Sequence, residues 1–257
     1  MDVNQREISS GASPSDPYRR LRWGGLAFAI AFPTLITWGY FVLAGRYSTG
    51  TQQTVYLIVK VIQFTFPAVW TWLALREPLR TSRPTASGLL LGIAFSVVVV
   101  SAGMALFEFV LRDTRIFTAA AELIHRKIEA FGIDSAWKYF LLAGFYSLFH
   151  SLFEEYYWRW FVFRQLRRLM PLWPAVIISG VAFTLHHIVV LGVFFPGAPW
   201  LVALLASAIA IGGCFWAWLY QRSNSIFDTW LSHLLIDAGL FFGVGYALVR
   251  HTFAGAG

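Results

Sequence analysis

Three ionisable side chains fall within two turns of one apolar stretch: Glu154, Glu155 and Arg159. A charge at the centre of a membrane helix costs about 2.5–3.5 kcal/mol. The three must therefore pair, face a hydrated cavity or be partly neutral. Glu155 and Arg159 are four residues apart, in the order that favours a helical ion pair. Glu154 is rotated by about 100° from Glu155 and has Trp158 at its own i+4 position. This divides the labour: Glu155 and Arg159 support the site, and Glu154 is left for chemistry. His150, one turn before Glu154, is a weaker candidate.

A second apolar stretch carries His186 and His187. Adjacent helical residues point about 100° apart, so the two are not expected to face one site together. His187 shares its face with Phe183, four residues earlier. In a third stretch His233 and Asp237 stand at i and i+4. They could bind one ligand together, or Asp237 could orient the His233 ring.

A buried carboxylate near imidazoles suits activation of a water molecule. A further histidine with a carboxylate can polarise a carbonyl and stabilise the oxyanion. Together these make a hydrolase for an amide bond. A zinc version would use Glu154, His187 and His233 with an open position for water, although the HExxH spacing is absent. No serine has a recognisable nucleophile setting, and Cys214 has no polar partner nearby in sequence.

Such residues must be positioned by membrane helices. The chain has 257 residues, of which 58% are hydrophobic and only 13% charged. A soluble domain is usually about one quarter charged, so a soluble enzyme is close to excluded, and disorder of the whole chain more firmly so. The net charge of +7 sits in short clusters between apolar runs, a membrane pattern and not a nucleic-acid one. With Cys214 as the one cysteine, no intrachain disulfide is possible.

The predicted fold is an all-α transmembrane bundle. Seven stretches are of spanning length: Gly25–Ala44, Val55–Leu75, Gly88–Leu111, Trp137–Phe163, Ala175–Phe195, Trp200–Tyr220 and Ile226–Val249. Residues 1–20 read as a polar, disordered tail and 21–112 as N-terminal membrane helices. The first helix reads as a retained anchor. In 113–134, Ile116, Phe117, Ala120, Leu123, Ile124, Ile128 and Phe131 fall at helical spacing, which predicts an amphipathic surface helix or an eighth, partly inserted element. Residues 135–249 form the catalytic core and 250–257 a short tail.

Arginines in the tail (Arg19, Arg20, Arg22), near Arg76–Arg83 and at Arg164–Arg168 predict a cytoplasmic N-terminus and an outer C-terminus. At a rise of 1.5 Å per residue, Glu154 lies about 14 Å, His187 about 18 Å, His233 about 10 Å and Asp237 about 16 Å from the cytoplasmic helix ends. Three separate helices thus bring Glu, His, His and Asp to overlapping depth.

The segment Glu154-Glu155-Tyr156-Tyr157-Trp158-Arg159 matches an EExxxR signature, Phe183 to His187 matches FxxxH, and His233 to Asp237 matches HxxxN in an acidic variant. In this order on successive apolar stretches they resemble the CPBP family, which comprises CAAX prenyl proteases and bacteriocin-processing enzymes. The resemblance covers about residues 135–245. It implies an intramembrane endopeptidase of glutamic type. Glu154 and His187 would activate water, His233 and Asp237 would bind the oxyanion, and Glu155 with Arg159 would support them. The third motif more often ends in Asn; Asp237 can donate only when protonated.

The expected partners are a lipid bilayer and a membrane-associated peptide or protein, with no nucleic acid. The expected location is a bacterial inner membrane. Catalysis is read as needing no cofactor, with zinc the alternative. The rival functions are a proton-coupled transporter using Glu154, Glu155 and Asp237, and a silent scaffold or immunity protein. Haem held by paired histidines is a third, weaker rival.

Overall fold

The computed structural model describes residues 16–43 and 49–253. The predicted polar tail up to residue 15, Arg46 and residues 254–257 lie outside the described residues. Among the described residues every regular element is a helix.

The chain runs α1 (Arg19–Val42), α2 (Gly50–Ala74), α3 (Ala86–Leu111) and then α4 (Arg115–Ala130). Helix α5 is one continuous run made of Ala136–Phe145, Tyr146–His150, Ser151–Glu155, Tyr156–Phe163 and Arg164–Leu169. After it come α6 (Leu172–Phe194), α7 (Pro199–Ser223) and α8 (Ile226–His251). All of these except α4 and α5 are both long and apolar enough to cross a membrane. Helix α5 has the length, but its polar residues keep its apolarity below that of a plain span. The protein is an all-helical, multi-pass membrane protein, and apolar side chains such as Leu57, Leu90, Phe109 and Ile211 point out of the bundle.

Local chemistry sets the helix ends. Thr85 begins α3, its Oγ1 accepting from Gly88 N at 3.0 Å, and Thr114 and Ser225 cap α4 and α8 in the same way. Such caps satisfy donors that the first turn leaves unpaired. Pro199 opens α7, and Asn224 closes it in the left-handed region. Two stretches of α5, Tyr146–His150 and Tyr156–Phe163, widen into π-helix. They flank Ser151–Glu155, the turn that carries both glutamates. Wide turns of this kind often mark functional segments.

Small residues set the closest helix contacts. Gly180 of α6 meets the backbone of α7, where an added Cβ would lie 2.8 Å from Cys214 N and 2.9 Å from Ala210 O. On α3, Gly92 faces the backbone of Asp228 and the side chain of Ser232, while Gly239 and Gly243 of α8 face Val100 and Met104. Gly92, Gly239 and Gly243 thus serve one seam between α3 and α8. Asp228 is buried in that seam and accepts from Thr85 N at 3.0 Å and Thr85 Oγ1 at 2.8 Å. Helix α4 is amphipathic. It turns Phe117, Ala120 and Ile128 inward, with Phe117 against Phe107 and Phe195.

A polar latch ties one end of the bundle. Buried Arg22 donates Nε to Asp16 Oδ2 at 2.6 Å, Nη2 to Glu77 Oε1 at 2.7 Å, and Nη1 to Gln165 of α5. Arg164 and Arg168 also approach Glu77.

Candidate active site

The site lies where α5, α6 and α8 meet, and Phe183 of α6 forms its floor. That ring touches Trp158, His186, His187, Trp216 and His233. The α6 stretch Ala182–Thr184 is buried because Gly180 lets α7 approach closely.

Glu154 stands at the centre, buried, ringed by imidazoles. His186 Nε2 and His150 Nε2 lie 3.3 and 3.5 Å from Oε1, and His233 Nε2 lies 3.6 Å from Oε2. His187 belongs to the same cluster: Glu154, His186 and His187 each offer one ligand atom, all within 4.8 Å of one another. The His186 and His187 rings are 4.1 Å apart. The expectation that the two would not share one site is therefore corrected. The pocket spans more of the α6 surface than the angle between neighbours. His186 lies parallel to Trp158 and reaches Glu154, while His187 tilts back so that Nδ1 lies 3.0 Å from Phe183 O. A carbonyl oxygen only accepts, so Nδ1 carries a hydrogen, and in the neutral ring Nε2 keeps a lone pair.

Glu155 has more than the predicted ion pair. Oε2 lies 3.3 Å from Arg159 Nε, but Oε1 lies 2.9 Å from His233 Nδ1. Glu155 holds that ring from behind. Asp237, the residue expected to be able to orient it, stands instead on the opposite side, 3.7 Å from Nε2. Arg159 is wholly buried, its guanidinium 4.8 Å from the centre of Phe183 and 5.2 Å from that of Trp216. Aromatic faces attract such a cation. Trp216 also stacks on His233 at 4.2 Å and donates Nε1 to Ser232 Oγ at 3.0 Å.

The structure thus gathers Glu154, His187, His233 and Asp237, with Glu155 and Arg159 behind them. It adds His186 and His150 at the Glu154 carboxylate. The donor set best placed for a metal ion is Glu154, His186 and His187, with His186 in the position that sequence reasoning gave to His233. Lys60 of α2 escaped the sequence reading, although a lysine far from both ends of an apolar stretch is itself a signal. It lies within electrostatic reach of Glu154 and His186.

Chemically, the cluster offers a buried carboxylate, an imidazole with a free lone pair, and a second imidazole gripped by carboxylates. No curated protein and no solved structure matches the chain. Residues 136–239 match the family model described as type II CAAX prenyl endopeptidase Rce1-like. This matched segment spans all of α5, α6 and α7, and the half of α8 that bears His233 and Asp237. The helices that build the site are therefore similar to an Rce1-like type II CAAX prenyl endopeptidase domain.

Proposed function

We propose that the protein hydrolyses a peptide bond of a membrane-associated protein or peptide, with Glu154 as general base. The observation that carries this reading is the position of Glu154, central among four histidines on three helices. A water between Glu154 and His187 Nε2 would lose its proton to Glu154 as its oxygen attacks the carbonyl carbon. The proton then passes to the departing amine. This is ordinary general base–general acid chemistry.

The developing oxyanion needs a donor. With Nδ1–H committed to Glu155, His233 can present a hydrogen on Nε2 only as an imidazolium. Glu154 and Asp237 on that side supply the negative charge such a cation needs. Asp237 contributes as a charge beside His233, a role that asks less of it than donation to the oxyanion. His186 and His150 position the Glu154 carboxylate.

The reaction is read as metal-free. Zinc held by Glu154, His186 and His187 is the alternative, since these three could offer ligand atoms to one ion. The test is hydrolysis of prenylated and plain peptides by purified protein, with Glu154→Gln as control and a zinc chelator in parallel.

We place the N-terminus in the cytoplasm of a bacterial cell, in the inner membrane. The latch of Arg22, Glu77, Gln165 and Arg164 supports a common side for the start of α1, the end of α2 and the end of α5. Arginines concentrate there, as on a cytoplasmic face.

A further inference from the structure

Lys60 is a cation deep in α2. It lies about 15 Å from Gly50 and about 21 Å from Ala74 along the helix axis, further than its side chain can reach to either headgroup layer. Among the described residues no carboxylate lies within ion-pair distance of it. Its ammonium instead donates to Gln63 Oε1 at 3.1 Å and lies 5.5 Å from the centres of both the Tyr56 and Phe64 rings. Gln63 is itself buried. An amide oxygen and two ring faces stabilise a cation, but none of them carries a negative charge, and Glu154 acts on it only from beyond ion-pair distance. A charge inside a membrane ordinarily has a partner or a function.

Ring contacts fix its level. Phe66 meets Phe161, while Phe64 meets Phe153, Tyr157 and His150. Helices α2 and α5 therefore run in the same direction, with both C-terminal ends at the latch, and Lys60, one turn before Phe64, is further from the Arg22 latch than Glu154 is. Lys60 and His150 share contact with Phe64, and His150 touches Glu154. A peptide entering from the latch side and passing Glu154 would meet this ammonium next.

We propose that Lys60 is a specificity residue that receives the C-terminal carboxylate of the peptide being cut. The inference rests on the hydrolase reading above and names the substrate feature that reading leaves open. The sign of the charge selects a carboxyl end over an amino end. The depth selects a chain end over an internal acidic side chain, because a chain continuing past Lys60 would have to run further from the latch through the apolar bundle.

The test uses short fluorogenic peptides with an S-farnesyl cysteine in three forms: a free C-terminal carboxylate, a carboxamide, and a carboxamide preceded by aspartate. Wild type should prefer the carboxylate over both amides by about tenfold or more in kcat/KM, carried by KM. Lys60→Met should abolish the preference, and Lys60→Arg should restore part of it. Binding of the same peptides to the Glu154→Gln protein, with and without Lys60→Met, separates this proposal from the hydrolase reading. Selective binding without cleavage by wild type would sink the hydrolase and keep the carboxylate site. Cleavage with no preference, a preference that survives Lys60→Met, or equal use of the aspartyl amide would overturn the role of Lys60.

Discussion

At Glu154, three histidine nitrogens lie within 3.6 Å of a single carboxylate. Glu154→Gln keeps the volume and removes the base. It should lower kcat by about 10²–10⁴-fold without changing the thermal melt in detergent. Glu155 acts one step away, through His233. Glu155→Ala should cost on the order of a hundredfold in activity, as lost second-layer partners commonly do. The loss should fall on kcat with little change in KM, and Glu155→Gln, which keeps an acceptor for Nδ1, should recover part of it. The Glu155–Arg159 pair was legible from i+4 spacing alone. The Glu155–His233 contact was not, because it joins α5 to α8 and depends on how the helices rotate against each other. The pairing of His186 with His187 escaped for a related reason: the angle between Cα positions ignores rings that reach sideways.

Helix contacts carry the next level. Gly180→Val would push a side chain into the α7 backbone at Cys214 and Ala210, which cannot swing aside as a side-chain tip can. Overpacking of this kind costs about 1–3 kcal/mol and should lower the melting temperature and the folded yield. Rigid displacement of Phe183 would reduce activity as well. Asp16 gives the latch a pH dependence. Burial pushes its carboxyl up, but the Arg22 hydrogen bond, the Tyr18 backbone N–H and the charges of Arg22 and Arg168 together outweigh this and hold it below the ordinary range. The latch should contribute full stability above about pH 4 and lose it as pH falls through the lowered value. Arg22→Ala should flatten that acid limb in a melt series. The apolar runs showed most of the helices, because length and composition suffice for that. The wide turns in α5 left no mark in the sequence, since the same residues fit an ordinary helix.

Across the whole molecule, the consecutive helices α5 and α6 and the more distant α8 converge on one pocket, and α2 packs along α5 beside it. The depths reckoned from sequence brought Glu154, His187, His233 and Asp237 to a common level because rise per residue is fixed. Lateral position was beyond reach, and so was the approach of α2. Reporter fusions after Arg22 and after Val249 should report opposite sides, with the first in the cytoplasm. The most direct test of the central claim is peptide hydrolysis by the purified protein in detergent, wild type beside Glu154→Gln, each with and without chelator. The account predicts turnover by wild type that persists with chelator and collapses in the variant. Turnover that Glu154→Gln leaves intact would contradict it.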